Sequence, residues 1–147
     1  MHVGFTGTRR GMTAKQVEAV RDILDDRYML HGFVAHHGDC IGADAQFHSI
    51  CREPRGGPVT IVGHPGPTSR YSAGCEFNER FAPEPYMKRN RAIVHSSLVM
   101  IAAPGEDDPR ARGGTWATIA IAREAHGPWR LHVVGVHGNL LDQAGWR

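Results

Sequence analysis

Short apolar runs alternate with amphipathic stretches along most of this chain. His2 to Phe5 is an extended run that ends in Thr6-Gly7-Thr8. From Thr13 to Leu30 the apolar positions Val17, Val20, Ile23, Leu24 and Tyr28 recur at helical spacing, with Thr13 as the N-cap and Gly32 closing the helix. Phe33 to His37 predicts a second strand, Gly38 to Gly42 a turn, and about Ala43 to Cys51 a second helix. Pro58 to Gly63 and Leu98 to Ala102 are short, apolar and rich in branched residues, as central parallel strands tend to be, and Tyr86 to Ser96 between them reads as a helix. A last helix runs from about Thr115 to His126, and Leu131 to Gly135 supplies a fifth strand. Alternating strands and helices imply an α/β fold, a Rossmann-like doubly wound parallel sheet of about five strands with helices on both faces.

Two segments break this rhythm. Pro65 to Pro83 is rich in proline and glycine with no clear period, and a stretch that long in a compact domain is expected to be functional, for example as a lid. Gly105 to Arg112 is a shorter polar loop in which Arg110 and Arg112 would meet an approaching ligand. A length of 147 residues suits one domain, residues 1 to 147, rather than two cramped ones. With 17 basic and 15 acidic residues, a net charge of +2 gives no broad field to draw in a duplex, so nucleic acid is not an expected partner. Three cysteines without metal-type pairing, and an N-terminus without the apolar stretch of a signal peptide, point to the cytoplasm. No apolar run is long enough to cross a membrane.

Ligands of open parallel sheets bind outside the carboxyl ends of the strands, and three turns there carry candidate chemistry. In the first, Gly7 permits close backbone approach, Thr6 and Thr8 offer hydroxyls, and Arg9 is placed to pair with a phosphate, unless this is only a tight turn with a solvated arginine. In the second, Gly38 and Gly42 bracket a turn whose amides suit an anion, while Asp39 or Asp44 would accept from ribose hydroxyls. The plainer role for Asp44 is to complement the helix dipole. His36, His37, Asp39 and Cys40 raise a metal hypothesis, but adjacent His36 and His37 point to opposite faces of a strand, so no metal is expected. In the third, Arg112-Gly113-Gly114-Thr115 presents bare backbone amides and a hydroxyl at a helix start, a phosphate cradle. Arg89 and Asn90 reach the same rim, or else belong with Lys88 and Arg91 to a solvated basic face. Trp116 either stacks on a base or joins the core. Nothing in the sequence points to a cofactor.

The stretches GFTGTR, HHGDCIGADAQFH, Pro85 to Asn90 and GGTWATIAIA, in that order, resemble the SLOG superfamily, which includes the lonely-guy phosphoribohydrolases and the DNA-processing protein A fold. Gly42, Asp44 and His48 match the Gly-x-Asp-x-x-x-His turn and helix of the DNA-processing branch. The resemblance makes Arg89 the functional arginine and Gly114-Thr115 the phosphate turn. Thr118 stands where the hydrolases carry their catalytic glutamate, and Glu124 lies too far along the helix to replace it. The resemblance therefore implies a protein that binds a phosphate-bearing nucleotide or nucleotide-derived signal, ADP-ribose-like or cyclic, as a sensor or sequestering protein. The alternative is a nucleoside-monophosphate N-glycosidase that relies on Arg89 with Asp39 or Asp44. Single-stranded DNA binding is a third class, without the basic, aromatic-studded stripe it needs. The resemblance further implies a homodimer or higher homo-oligomer, and a role in phage or bacterial conflict.

Overall fold

The structure is a computed structural model that describes residues 1–28, 30–54, 56–144 and 146. Strand β1 (His2–Gly7) leads into α1 (Ala14–Arg27), β2 (Phe33–His37) into α2 (Ala43–Arg52), and β3 (Val59–Gly63) into the short β4 (Glu79–Arg80) and α3 (Tyr86–Ser96). Then β5 (Val99–Ala103) leads into α4 (Gly114–His126), and a 3-10 turn at Pro128–Arg130 precedes β6 (Leu131–Val133). The strands form one sheet in the order β4-β3-β2-β1-β5-β6, parallel throughout. The chain winds outward from β1 to β4, then returns to lay β5 on the other side of β1. The order therefore reverses between β1 and β5, where such sheets open a crevice at the carboxyl ends.

Each face of the sheet buries one pair of helices, and period-two alternation along the strands sorts the side chains between them. Ile101 and Ala103 of β5 pack with Val20 and Leu24 of α1 and Phe47 and Ile50 of α2. Met100 and Ala102, one residue out of phase, pack with Ile93 and Val94 of α3 and Ile119 and Ala122 of α4. Phe5 and Phe47 stack with ring centroids 4.4 Å apart. Both are fully buried, and each stabilises the fold by about 1.5–3 kcal/mol through removal of apolar area from water.

Thr13 caps α1 in a reciprocal box: its hydroxyl accepts the Gln16 N–H, and the Gln16 side chain accepts the Thr13 N–H. Gln16 Nε2 also donates to the carbonyls of Pro104 at 2.8 Å and Val134 at 3.1 Å, tying the helix start to the ends of β5 and β6.

The sheet has six strands rather than about five. The extra one, β4, lies inside the 65–83 stretch and consists of two exposed charged residues at the sheet edge. It carries no apolar signal because it buries nothing. Helix α1 ends at Arg27 with Tyr28 as its C-cap, short of the predicted Leu30. Gly32 instead allows the chain to pass Pro58, whose carbonyl would lie 2.3 Å from an added Cβ. β6 stops at Val133, after which Val134 bridges antiparallel to Leu140. No helix among the described residues is long and apolar enough to cross a membrane.

Candidate ligand-binding cleft

A cleft of about 690 Å³ opens where β1 and β5 release the chain, within the range of small-molecule sites. It gathers most of the sequence candidates. From the first turn it takes Thr6, Gly7, Thr8 and Arg9; from the second, Gly38 and Asp44; from α3, Arg89 and Asn90; from the third turn, Arg112, Gly113, Gly114, Thr115 and Trp116. Asp39 lies instead in an adjoining recess. Gly42 lines neither cavity but lets two turns meet: its φ is +87°, and a Cβ there would sit 2.3 Å from the Arg9 carbonyl oxygen.

The start of α4 keeps its helix-terminal amides unengaged among the described residues. Gly113 is its N-cap and no side chain caps it. The first intrahelical bond runs from Ala117 N–H to the Gly113 carbonyl at 3.3 Å, so the amides ahead of it are the orphan donors of a helix start. Among the described residues no atom beyond its chain neighbours lies within 4 Å of a Cβ built on Gly113, leaving the approach open.

The turn after β2 differs. Asp44 Oδ2 accepts the amides of Gly38 and Cys40, each at 3.1 Å. The Asp39 amide donates to His37 Nδ1, Ile41 to the Tyr71 carbonyl and Ala43 to the Thr8 carbonyl. An anion expected between Gly38 and Gly42 finds these five amides already engaged. The Asp39 carboxylate, on a backbone with φ +57°, accepts from Ser72 Oγ at 2.7 Å and Cys75 N–H at 2.9 Å. It thus fastens the 65–83 stretch to β2. With Asn78 and Phe81 also bonded to β3, that stretch forms a wall hydrogen-bonded to the sheet.

Arg89 is buried at the cleft floor, not on a solvated face. Its Nε donates to Asn90 Oδ1 at 2.7 Å, Nη1 to the carbonyls of Gly38 at 2.8 Å and His64 at 3.2 Å, and Nη2 points at Cys40 Sγ, 3.6 Å away. Gly38 makes the room, since its Cβ would fall 2.4 Å from Nη1. Burial pushes the Asp44 carboxyl up to about 6, against the pull of the Gly38 and Cys40 amides and of the Arg89 charge. Burial likewise raises the Cys40 thiol, with Asp44 adding to the effect, so a thiolate nucleophile is not favoured there.

Trp116 joins the α3–α4 core and also lines the cleft, while its Nε1 donates to the Glu106 carbonyl at 2.9 Å. Arg112 lines the cleft, whereas Arg110 is fully exposed, forked onto Asp108 at 3.0 Å, and does not. Thr118, at the glutamate position of the resemblance, is fully buried and donates to the Gly114 carbonyl at 2.7 Å. It faces its own helix.

His36 and His37 do diverge. His36 bonds His2 and His64, and His37 bonds His48. His37, His48 and Cys75 bring ligand-type atoms within 4.8 Å of one another. Yet His37 Nδ1 accepts an amide N–H, so Nε2 must carry the proton that it shares with His48 Nδ1 at 2.8 Å. As arranged, these nitrogens make a hydrogen-bonded pair instead of an open ligand set.

Missed from sequence were Tyr71 and Tyr86, whose rings lie 6.4 Å apart on the cleft wall, and Arg10. Arg9 stacks over Tyr71 at 4.0 Å. Tyr71 carries no pattern in an aperiodic stretch. Arg10, next to Arg9 and paired at 3.8 Å with Glu106 across the cleft mouth, was legible from the turn itself.

No family model and no curated protein matches the chain. Solved structures similar to it include a molybdenum cofactor binding protein from Rippkaea orientalis, 17% identical with a TM-score of 0.67 over 91% of this chain and 76% of that one. Another is DNA processing protein A from Helicobacter pylori, described by its single-stranded DNA binding mode, 17% identical with a TM-score of 0.58 over 97% and 68%. A third is the structural-genomics target TM1055, 14% identical with a TM-score of 0.55 over 84% and 69%. Sheet order, crevice position and these likenesses together make this a Rossmann-like fold.

Proposed function

We propose that the cleft binds a phosphate-bearing nucleotide or nucleotide-derived signal, and that the protein works as a sensor or sequestering protein. The observation that carries this reading is the uncapped α4 start at Gly113, with an unobstructed approach and Arg112, Arg89 and Asn90 lining the same cavity. Helix-terminal amides, a glycine approach and guanidinium groups on one cavity are complementary to phosphate. Thermal shift and calorimetry with a panel of nucleotides, ADP-ribose, NAD and cyclic dinucleotides test it. A bound ligand raises the melting temperature by mass action, and Arg89→Ala removes that rise. If no member of the panel shifts the wild type, the reading fails.

One observation favours hydrolysis as a second reading. Asp44 lines the cleft and has a carboxyl pushed up to about 6, in the range useful for proton transfer near neutral pH. Water would add across the N-glycosidic bond of a nucleoside monophosphate, giving free base and ribose phosphate. Chromatography of the incubated panel decides it: product lost in Asp44→Asn supports an N-glycosidase, and binding without product supports sequestration. As part of the same proposal the chain forms a homodimer or higher homo-oligomer in the cytoplasm, which light scattering and localisation would check.

A further inference from the structure

Four aromatic side chains line the cleft, Phe5, Tyr71, Tyr86 and Trp116, and their surroundings set them apart. Phe5 is fully buried and lies flat on Phe47, 4° from parallel, so it offers no face to a ligand. Trp116 is 8% exposed, with the Trp146 ring edge-on to it at 5.2 Å and its Nε1 engaged by the Glu106 carbonyl. Tyr71 is half-buried, and guanidinium groups already stand over its ring, Arg9 at 4.0 Å and Arg70 at 5.0 Å. Tyr86 is 36% exposed and tilted 57° from Tyr71, so the two rings form an open V and not a closed stack.

The fold also seats Tyr86. The residue begins α3, and Gly66 of the 65–83 wall backs its ring: a Cβ on Gly66 would lie 2.7 Å from Tyr86 Cε1, an approach that only glycine permits. Helical spacing puts Tyr86 on one face of α3 with Arg89 and Asn90, three and four residues further on, and all three line the cleft. The Arg89 guanidinium lies 5.5 Å from the centre of the Tyr86 ring. Asn90 continues the row towards α4, its Nδ2 3.8 Å from where a Cβ on Gly114 would be. One helix face therefore carries an open aromatic surface, then a buried cation, then an amide beside the α4 start. That order matches a molecule with a flat ring at one end of a short polar link and an anion at the other.

Resting on the phosphate-binding reading above, we propose that Tyr86 is the residue that positions the ligand's base, by stacking on it while Arg89 and the α4 start hold the phosphate, and that Trp116 takes no part in base recognition. Every base has a π-face, so this contact orients a base without selecting which one.

Calorimetry with AMP and with ribose 5-phosphate, which keeps the sugar and phosphate but lacks the base, tests this on the wild type, Tyr86→Ala and Tyr86→Phe. The wild type should bind AMP about tenfold or more tighter than ribose 5-phosphate. Tyr86→Ala should abolish that advantage and leave ribose 5-phosphate binding unchanged, whereas Tyr86→Phe, which keeps the ring, should retain it. Tyr86→Leu replaces the alanine variant should that one fold poorly by circular dichroism. The stacking role is overturned, with the phosphate-binding reading left standing, by any of four results: an AMP advantage that survives loss of the ring, a phenylalanine variant that behaves like the alanine one, a loss shared equally by both probes, or equal binding of the two by the wild type. If neither probe binds, the assignment of Tyr86 falls, and the phosphate-binding reading falls with it only when the wider nucleotide panel fails as well.

Discussion

The turn after β2 and the turn after β5 are written in the same grammar, glycines between a strand and a helix, yet the structure uses them in opposite ways. After β2, Gly38 yields space to the Arg89 guanidinium and Gly42 to the Arg9 carbonyl, while Asp44 and neighbouring groups take up the amides. After β5, among the described residues, nothing beyond its chain neighbours approaches Gly113, only Asn90 comes within 4 Å of a Cβ on Gly114, and no side chain caps the helix. One turn is internal scaffolding and the other is a surface left vacant of protein. A glycine pattern therefore identifies a close approach without saying whether the visitor is protein or ligand.

The largest expected effect tests that contrast directly. Gly42→Ala forces a Cβ against the Arg9 carbonyl at positive φ, and should cost about 3 kcal/mol or more of folding stability, read by urea denaturation. Gly114→Ala should leave stability within about 1 kcal/mol, or raise it, because alanine favours helix. The same variant should weaken AMP binding by about tenfold through the lost approach. Equal destabilisation by both would erase the distinction between the two turns.

Next comes Asp39, the fastener of the 65–83 wall. Asp39→Ala loses both carboxylate contacts and strains a left-handed position, at about 2–3 kcal/mol. Asp39→Asn keeps an acceptor and tolerates that backbone, so it should cost less than half as much. An alanine variant as stable as wild type would show that the wall does not depend on this residue.

Asp44 gives a pH signature. Its folded pKa of about 6 lies above the ordinary 3.8 of the carboxyl, so the folded state holds its proton more tightly than the unfolded chain. Its favourable contribution is complete below about pH 3.8 and is lost as pH rises through about 6. Asp44→Asn should therefore stabilise the fold by about 1–3 kcal/mol more at pH 7.5 than at pH 4, as measured by urea melts at both. His36 and His64 act with the opposite sign. Burial lowers each from 6.5 to about 4, so both the wild type and Asp44→Asn lose stability as pH falls through that window. Only the difference between them isolates Asp44.

The smallest effects lie on the loop before α4. Arg112→Ala should weaken AMP binding several-fold with no change in melting temperature. Arg110→Ala, whose guanidinium is held by Asp108 outside the cleft, should change neither. A larger binding loss at Arg110 than at Arg112 would show that the loop rearranges around the ligand.

Much was legible before any coordinates. Val17, Val20 and Leu24 mark α1 because a helix buries one stripe, and LVMIA marks β5 because a central strand buries both faces. The edge strand Glu79–Arg80 was not legible, since exposed charged residues leave no periodic trace. Nor was the burial of Arg89. Its neighbours Lys88 and Arg91 are exposed while Arg89 and Asn90 turn inward, a choice set by how α3 docks on the sheet.

By itself, then, the order of apolar runs and glycine turns along the chain determined the doubly wound sheet and the end of it at which chemistry would gather, because those follow from local periodicity and backbone freedom. Tertiary structure alone decided which amides remain vacant, that Asp39 fastens a wall while Asp44 faces the cleft, and that Arg89 lines two neighbouring cavities. Hydrogen-bond partners distant in sequence make those assignments, and nothing local records which of the available donors and acceptors will meet.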